Sequence, residues 1–146
     1  GCVWRGRIRS KAVCVFYHAG RYLLVEGYDP VKKQHFFVPL GGGIEFGETS
    51  AAAAKREVQE EIGAEEVDMN LLGISENIFE YNGKPGHEIV FVYQARFADE
   101  TLYHHEVLQG METNGMPIVA RWIEHERIHN RQVIVYPEGI SAMLKC

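Results

Sequence analysis

The sequence predicts an α/β fold in which a mixed β-sheet is flanked by helices. Strand-like segments lie on both sides of one strongly helical segment, and turn signals separate the strands. With 146 residues, of which 46% are hydrophobic, the chain has the size of one domain with a substantial core. We therefore expect a single domain over residues 1–146.

The strand signals are runs of β-branched and aromatic residues bounded by turn residues. The predicted strands are Ile8 to Tyr17, Tyr22 to Glu26, Leu71 to Tyr81, Glu88 to Phe97 and Val119 to Ile123. The first two are expected to form a hairpin around residues 18–20, and the sequence NGKPG at 82–86 is a strong turn signal. Residues 28–34 and 98–117 are polar and predicted to be irregular, and a short helix is expected after Pro137.

The helical segment lies between these strands, in the sequence GGGIEFGETSAAAAKREVQEEIGA from Gly41 to Ala64. Thr49 or Ser50 can cap the start of the helix, and the four alanines favour helix strongly. Gly63 stands where a helix commonly ends. The glycines at 41–43 are expected to form a flexible loop that allows close approach of a phosphate or a metal.

One face of this helix is acidic. At about 100° per residue, Glu57, Glu60 and Glu61 fall together, and like charges at this spacing destabilise an isolated helix. A cation would offset the repulsion, and oxygen ligands suit Mg²⁺ or Mn²⁺. Small residues precede the acidic cluster on the same face, and we expect a bulky anionic substrate to lie across them; they are Ser50, Ala53 and Ala54.

The full spacing resembles the complete box of the Nudix (MutT-like) hydrolase family. Its fixed positions are Gly42, Glu48, Arg56, Glu57, Glu60, Glu61 and Gly63. The alternative is a solvated helix face with a surface pair between Arg56 and Glu60, which would not require Gly42 and Glu48 in register. The resemblance implies a Nudix-type α/β/α sandwich with a mixed β-sheet and the Nudix helix after a Gly-rich loop.

The resemblance also implies a reaction and a cofactor. The expected reaction is Mg²⁺- or Mn²⁺-dependent hydrolysis of a diphosphate linkage in a nucleoside diphosphate joined to another moiety. Such substrates include nucleoside triphosphates, dinucleoside polyphosphates, ADP-ribose and nucleotide sugars. By resemblance, Glu60, Glu61 and the carbonyl of Gly41 bind the metal. Glu57 is a ligand or the catalytic base, and Glu48 and Arg56 support the ligands from behind.

Residues outside the acidic helix give further candidates for substrate contact. Arg7 and Arg9 alternate on the first strand, so both can face substrate phosphates, although two solvated arginines would show the same pattern. Gly42 and Gly43 are expected to help hold the diphosphate. One further carboxylate is expected to join the metal site, from Glu88, Glu106 or Glu112. Aromatic candidates for stacking on a base are Tyr28, Phe36, Phe46, Phe79 and Tyr81, and the position of Tyr81 resembles that of a tyrosine in dinucleoside polyphosphate hydrolases.

Composition narrows the partners and the cellular context. A net charge of −5 argues against a nucleic-acid binder with a broad basic surface. No apolar run is long enough for a membrane span, and three cysteines at unrelated spacings do not predict a disulfide framework or zinc site, so a soluble cytoplasmic protein is expected. The resemblance allows a homodimer. A non-catalytic Nudix sensor that binds a nucleotide-like metabolite is the alternative function.

Overall fold

The computed structural model describes residues 6–112 and 114–144. The strands are β1 Ile8–His18, β2 Arg21–Asp29, β3 Gln34–Val38, β4 Leu40–Gly43, β5 Glu66–Tyr81, β6 Lys84–Phe97, β7 Val107–Met111 and β8 Pro117–Glu124. The helices are α1 Ser50–Ile62, α2 His125–His129 and α3 Ile140–Met143, and a 3₁₀ helix covers Glu100–His104. All five predicted strands are present.

The sheet is mixed and runs in the order β5-β6-β1-β2-β8-β7, with β3 paired to β2 and β4 paired to β1. β1 and β6 are parallel neighbours, and the other pairs of named strands are antiparallel. The register places Arg9 beside Glu88 and Lys11 beside Val90. β1 therefore carries basic side chains alongside a carboxylate of β6.

Helices cover both faces of the sheet. Successive residues of β1 point to opposite faces, so their neighbours show which helices pack on each face. Cys14 and Phe16 pack in a buried cluster with Val58 of α1. Val13 and Val15 pack in a second cluster with Ile128 of α2 and Ile140 of α3, and Leu23 and Leu24 of β2 divide in the same way. This is the predicted α/β/α sandwich.

The ends of α1 follow the predicted capping signals. The hydroxyl oxygen of Thr49 accepts a hydrogen bond from the backbone N–H of Ala52 at 3.1 Å, so Thr49 is the N-cap and Ser50 is the first helical residue. Gly63 ends the helix with φ of 67°, and its N–H donates to the carbonyl of Gln59. These local interactions fix the length and direction of the acidic helix.

The predicted glycine loop is wrong: residues 40–43 form strand β4, antiparallel to β1. Gly41 has φ of 151°, and a Cβ atom there would collide with the carbonyl oxygen of Ala12. The glycines therefore serve close strand packing, and the loop that leads into α1 begins only after Gly43. Segment 98–117 is also more regular than expected, because it contains the 3₁₀ helix and β7. Helix α2 was not predicted.

The cysteines add no cross-link within the described residues, where Cys14 is buried and free. Cys2 and Cys146 lie outside those residues. Among the helices of the described segments, none is long and apolar enough to cross a membrane.

We expect Val58→Ala to destabilise the protein by about 2 kcal/mol, because the fully buried Val58 side chain joins α1 to the sheet and its loss leaves a cavity. The free energy of unfolding from urea titration measures the effect. Gln59→Ala is the matched control on the exposed face of the same helix. Equal stabilities for the two variants would contradict this packing arrangement.

Candidate active site

The acidic face of α1 packs directly against the glycine strand β4. Glu61 is 8% exposed, and one of its carboxylate oxygens accepts a hydrogen bond from the N–H of Gly41 at 2.8 Å. A Cβ atom at Gly42 would lie 2.5 Å from the carboxyl carbon of Glu57. The absence of a side chain at Gly42 therefore gives the Glu57 carboxylate its space, and the backbone of Gly41 holds that of Glu61.

Arg56 connects the helix to the strand and to the loop between them. Its Nε donates to Glu48 Oε2 at 2.8 Å, and its Nη2 donates to Glu48 Oε1 and to the carbonyl of Gly43, both at 3.0 Å. Its Nη1 lies 2.9 Å from Glu57 Oε1 and 3.3 Å from Glu60 Oε2. One guanidinium thus orders two of the helix carboxylates and holds the preceding loop in place.

The pairing with Arg56 sets the protonation of the loop carboxylate. Hydrogen bonds from Arg56, followed by the N–H of Glu45, lower the pKa of Glu48 to about 2. The pKa of Arg56 is raised, first by its hydrogen bonds to Glu48 and then by those to Glu57. The Arg56–Glu48 pair consequently stays charged at neutral pH.

Glu61 has the opposite electrostatic environment. The pKa of Glu61 is raised to about 8, chiefly by burial and further by the charges of Glu57 and Glu112, while the hydrogen bond from the Gly41 N–H and the charge of Lys11 act in the opposite direction. A deprotonated Glu61 therefore lacks sufficient positive charge around it. A divalent cation would supply that charge, so this set of oxygen donors fits Mg²⁺ or Mn²⁺.

The carboxylates are engaged with basic side chains. Within residues 6–112 and 114–144, no three Asp, Glu, His or Cys side chains form a ready-made metal-ligand group. Arg56 holds Glu57 and Glu60, and the ammonium group of Lys11 lies 3.2 Å from a carboxylate oxygen of Glu88. Ligation by these glutamates would require their side chains to turn from the basic groups to the cation.

The three candidates for the additional carboxylate differ in position. Glu88, on β6, is 7% exposed, and Glu112 is exposed just after β7. Both line a cavity of about 140 Å³ together with Gly41 and Glu61. Glu106 is exposed and does not line this cavity. The fold therefore brings Glu88 and Glu112 to the acidic helix and leaves Glu106 away from it.

An aromatic cavity of about 390 Å³ adjoins the acidic one and shares Lys11, Val38, Asn77, Glu88, Glu112 and Tyr136 with it. Its aromatic lining consists of Phe36, Phe79, Tyr81 and Tyr136. The ring centroid of Phe36 lies 5.9 Å from that of Tyr81 and 5.7 Å from that of Tyr136. These rings offer apolar surface for a planar ligand beside the carboxylates.

Arg9 lies farther out along β1, and Arg7 lies just before this strand begins. Both are exposed, and both line an open cavity of about 670 Å³ that also includes Tyr81 and Glu88. The alternation along the strand places Arg9 on the same side as Lys11. Of the predicted substrate-binding residues, Arg7, Arg9, Tyr81 and Glu88 thus line a cavity next to the aromatic one, and Gly42 and Gly43 line none of these cavities.

Other predicted contacts fall elsewhere. Phe46 is fully exposed in the loop before α1, and Tyr28 packs on His35 outside the aromatic cavity. The small face of α1 is not open to substrate: Ala53 and Ala54 are fully buried against the sheet. Small residues are required there because α1 packs closely on the strands. The hydroxyl group of Ser50 is hydrogen-bonded to that of Tyr93, with an O–O distance of 2.6 Å.

The sequence did not predict three of the polar residues that line both cavities, namely Lys11, Asn77 and Tyr136. Lys11 continues the alternation of Arg7 and Arg9, and this pattern was sufficient to find it. No comparable sequence pattern marks Asn77 or Tyr136. Strand pairing of β5 with β6 brings Asn77 to the acidic cavity, and the segment after α2 brings Tyr136 there.

An acidic helix face held against a glycine strand within an α/β/α sandwich, together with the match to a NUDIX domain, supports an enzyme of the pyrophosphohydrolase class. The NUDIX domain model matches residues 7–136, and the chain therefore belongs to the Nudix family. No curated protein matches the chain in sequence.

Solved structures share the fold. The MutT NUDIX hydrolase from Burkholderia pseudomallei is 23% identical with a TM-score of 0.62, over 83% of this chain and 86% of that one. A NUDIX hydrolase from Nitrosomonas europaea is 20% identical with a TM-score of 0.64, over 94% and 86%. An ADP compounds hydrolase is 16% identical with a TM-score of 0.58, over 86% and 64%. At these identities the likeness establishes the shared fold.

We expect Gly42→Ala to lower Mg²⁺ affinity or hydrolytic activity roughly 10- to 100-fold, because the added Cβ displaces the Glu57 carboxylate. The matched control is Gly43→Ala, whose Cβ meets nothing within 4 Å and should cause a much smaller loss. Magnesium titration and initial rates of hydrolysis measure both. Equal losses in the two variants would show that Glu57 does not need the space at Gly42.

We expect the metal-free protein to lose stability as the pH rises from about 5 through 8. Because the folded-state pKa of Glu61 is raised to about 8, the folded protein holds a proton there that the unfolded chain releases at lower pH. That contribution is complete below the unfolded pKa and is lost as the pH passes the folded pKa. Thermal unfolding in EDTA measures it, and Glu61→Gln should flatten the slope. An unchanged slope in the variant would contradict the assignment.

Proposed function

We propose that this protein is a Mg²⁺- or Mn²⁺-dependent hydrolase that cleaves a diphosphate linkage in a nucleoside diphosphate joined to another moiety. The main support for this proposal is that the acidic cavity and the aromatic cavity adjoin each other. The buried carboxylate of Glu61 lines the acidic cavity, and aromatic rings line the neighbouring one. A diphosphate on the acidic side and a nucleoside on the aromatic side would occupy both.

Glu57, Glu60, Glu61 and the carbonyl oxygen of Gly41 would hold the cation. When bound, the cation neutralises charge on phosphate oxygens and lowers the pKa of a coordinated water. Glu57 is the proposed base that accepts a proton from the attacking water, or that orients this water, and its side chain is only 12% exposed. Arg56 keeps Glu57 in position, and one of Glu88 and Glu112 supplies the further carboxylate.

Basic residues on β1 and just before it are the proposed phosphate contacts. Lys11 lies between the two cavities and can exchange its partner Glu88 for a phosphate oxygen. Arg7 and Arg9 would bind anionic groups farther from the cleaved bond, and the backbone of Gly42 and Gly43 would help hold the diphosphate. Tyr81 would contact the nucleoside.

The aromatic cavity favours substrates that carry a nucleoside, which include nucleoside triphosphates, dinucleoside polyphosphates, ADP-ribose and nucleotide sugars. Relatives of this fold include a MutT hydrolase and an ADP compounds hydrolase, which supports a nucleotide as substrate. A cytoplasmic location and a homodimer are further proposals.

The decisive experiment is a panel of these substrates incubated with Mg²⁺ and analysed for released phosphate and mononucleotide. We expect hydrolysis of at least one, and a loss of roughly 10²–10⁴-fold in kcat for Glu57→Gln and Glu61→Gln. Glu65→Gln, on an exposed residue after α1, is the matched control and should retain the wild-type rate.

Tight binding of a substrate without any product across the panel would support a sensor in place of an enzyme. Wild-type rates in Glu61→Gln would contradict the assignment of this carboxylate to the metal site.

A further inference from the structure

Asn77 is a buried polar residue at the boundary between the acidic and the aromatic cavity. It is 4% exposed, lies on β5 beside Glu88 of β6, and lines both cavities. No residue of the predicted acidic site requires an amide at this position. A buried carboxamide between a catalytic cluster and an aromatic wall therefore needs its own explanation.

The orientation of this carboxamide is fixed by the backbone. The N–H of Glu138 donates to Asn77 Oδ1 at 3.1 Å, and a backbone N–H can only meet an acceptor, so the oxygen must face Glu138. The same peptide segment is held by Ser75, whose hydroxyl donates to the carbonyl of Glu138 at 2.5 Å. The amide nitrogen of Asn77 consequently points away from this anchored segment.

The amide nitrogen is available to a ligand. In the described segments it has no hydrogen-bond partner, and the only fully enclosed side-chain atoms without a partner there are the two oxygens of Glu66. Asn77 Nδ2 is therefore open to the cavities that the residue lines. Since Nδ2 is not fully enclosed, water satisfies its N–H groups in the free protein, and a ligand with an acceptor at this point would take the place of that water.

The surrounding groups identify the class of acceptor. Among the polar residues that line the aromatic cavity, Lys11 and Lys32 are basic and Asp29, Glu80, Glu88 and Glu112 are acidic, whereas Asn77 is neutral. The rings of Phe36, Phe79 and Tyr136 line the same cavity. A neutral donor of fixed direction among aromatic rings suits a planar heterocycle that carries a carbonyl oxygen or a ring nitrogen.

We propose that Asn77 determines base specificity by donating a hydrogen bond to an acceptor atom on the nucleobase of the substrate. This inference rests on the proposed nucleotide substrate and names the residue that recognises its base. It is a binding role, and it does not require the chemical step.

The test is a binding experiment in EDTA that needs no turnover. The ¹⁵N-labelled protein is titrated with the four common nucleoside 5′-monophosphates and with ribose 5-phosphate, which carries the same phosphate and sugar without a base. NMR reports the dissociation constants and the shifts of the Asn77 side-chain amide. The quantity compared is the ratio of the affinity for the best monophosphate to that for ribose 5-phosphate, because added charge near the phosphate affects both ligands alike.

Two variants remove the donor in different ways. Asn77→Asp keeps an oxygen for the Glu138 N–H and replaces the amide by an acceptor, and Asn77→Leu removes the donor without adding charge. Asn70→Asp is the matched control, since Asn70 is exposed on the same strand and outside both cavities. Thermal unfolding verifies that each variant is folded.

We expect the ratio to fall about 10- to 100-fold in both Asn77 variants and to stay unchanged in Asn70→Asp. Binding of the preferred monophosphate should shift the Asn77 amide resonances of the wild-type protein. An unchanged ratio in a folded Asn77 variant, or no binding of any monophosphate by the wild type, would overturn the proposal. If the protein hydrolyses the substrate panel but the affinity ratio is unchanged in the Asn77 variants, only the role of Asn77 is refuted. If binding depends on the base but no substrate is hydrolysed, only the proposed reaction is refuted.

Discussion

The contacts of Arg56 are the interaction on which the site depends. Its guanidinium bonds simultaneously to Glu48 in the loop, to the Gly43 carbonyl at the end of β4, and to Glu57 and Glu60 on α1. Since these elements belong to different parts of the fold, this side chain fixes the distance between strand and helix. The Gly41 N–H then meets Glu61, and Gly42 leaves room for the carboxylate of Glu57.

This arrangement places negative charge where burial disfavours it. The raised pKa of Glu61 and the lowered pKa of Glu48 show two outcomes for carboxylates near one helix, because Arg56 neutralises Glu48 and burial dominates at Glu61. Arg56 and Lys11 compensate part of the charge through Glu57, Glu60 and Glu88. A divalent cation and an anionic substrate would complete the balance by exchanging partners with these basic groups.

Local sequence determined the helix and its charged face, because caps, propensity and spacing act within a few turns. The cap at Thr49 and the end at Gly63 were predictable for this reason, whereas the supporting role of Glu48 and Arg56 was implied only by the resemblance to the Nudix box. The role of the glycines as strand β4 and the burial of Ala53 depend on which strands pack against α1, which short-range patterns do not encode. The positions of Glu88, Glu112 and Asn77 relative to α1 depend on how strands that are distant in sequence pair with one another. These positions could therefore not be predicted from the sequence.

A crystal of the metal-free protein soaked in Mn²⁺, with anomalous diffraction recorded near the manganese edge, tests the central claim most directly. We predict an anomalous peak between Glu57, Glu60, Glu61 and Gly41, with Arg56 still bonded to Glu48. No peak at that position at saturating Mn²⁺, with the carboxylates still bonded to Arg56 and to the Gly41 N–H, would contradict the account.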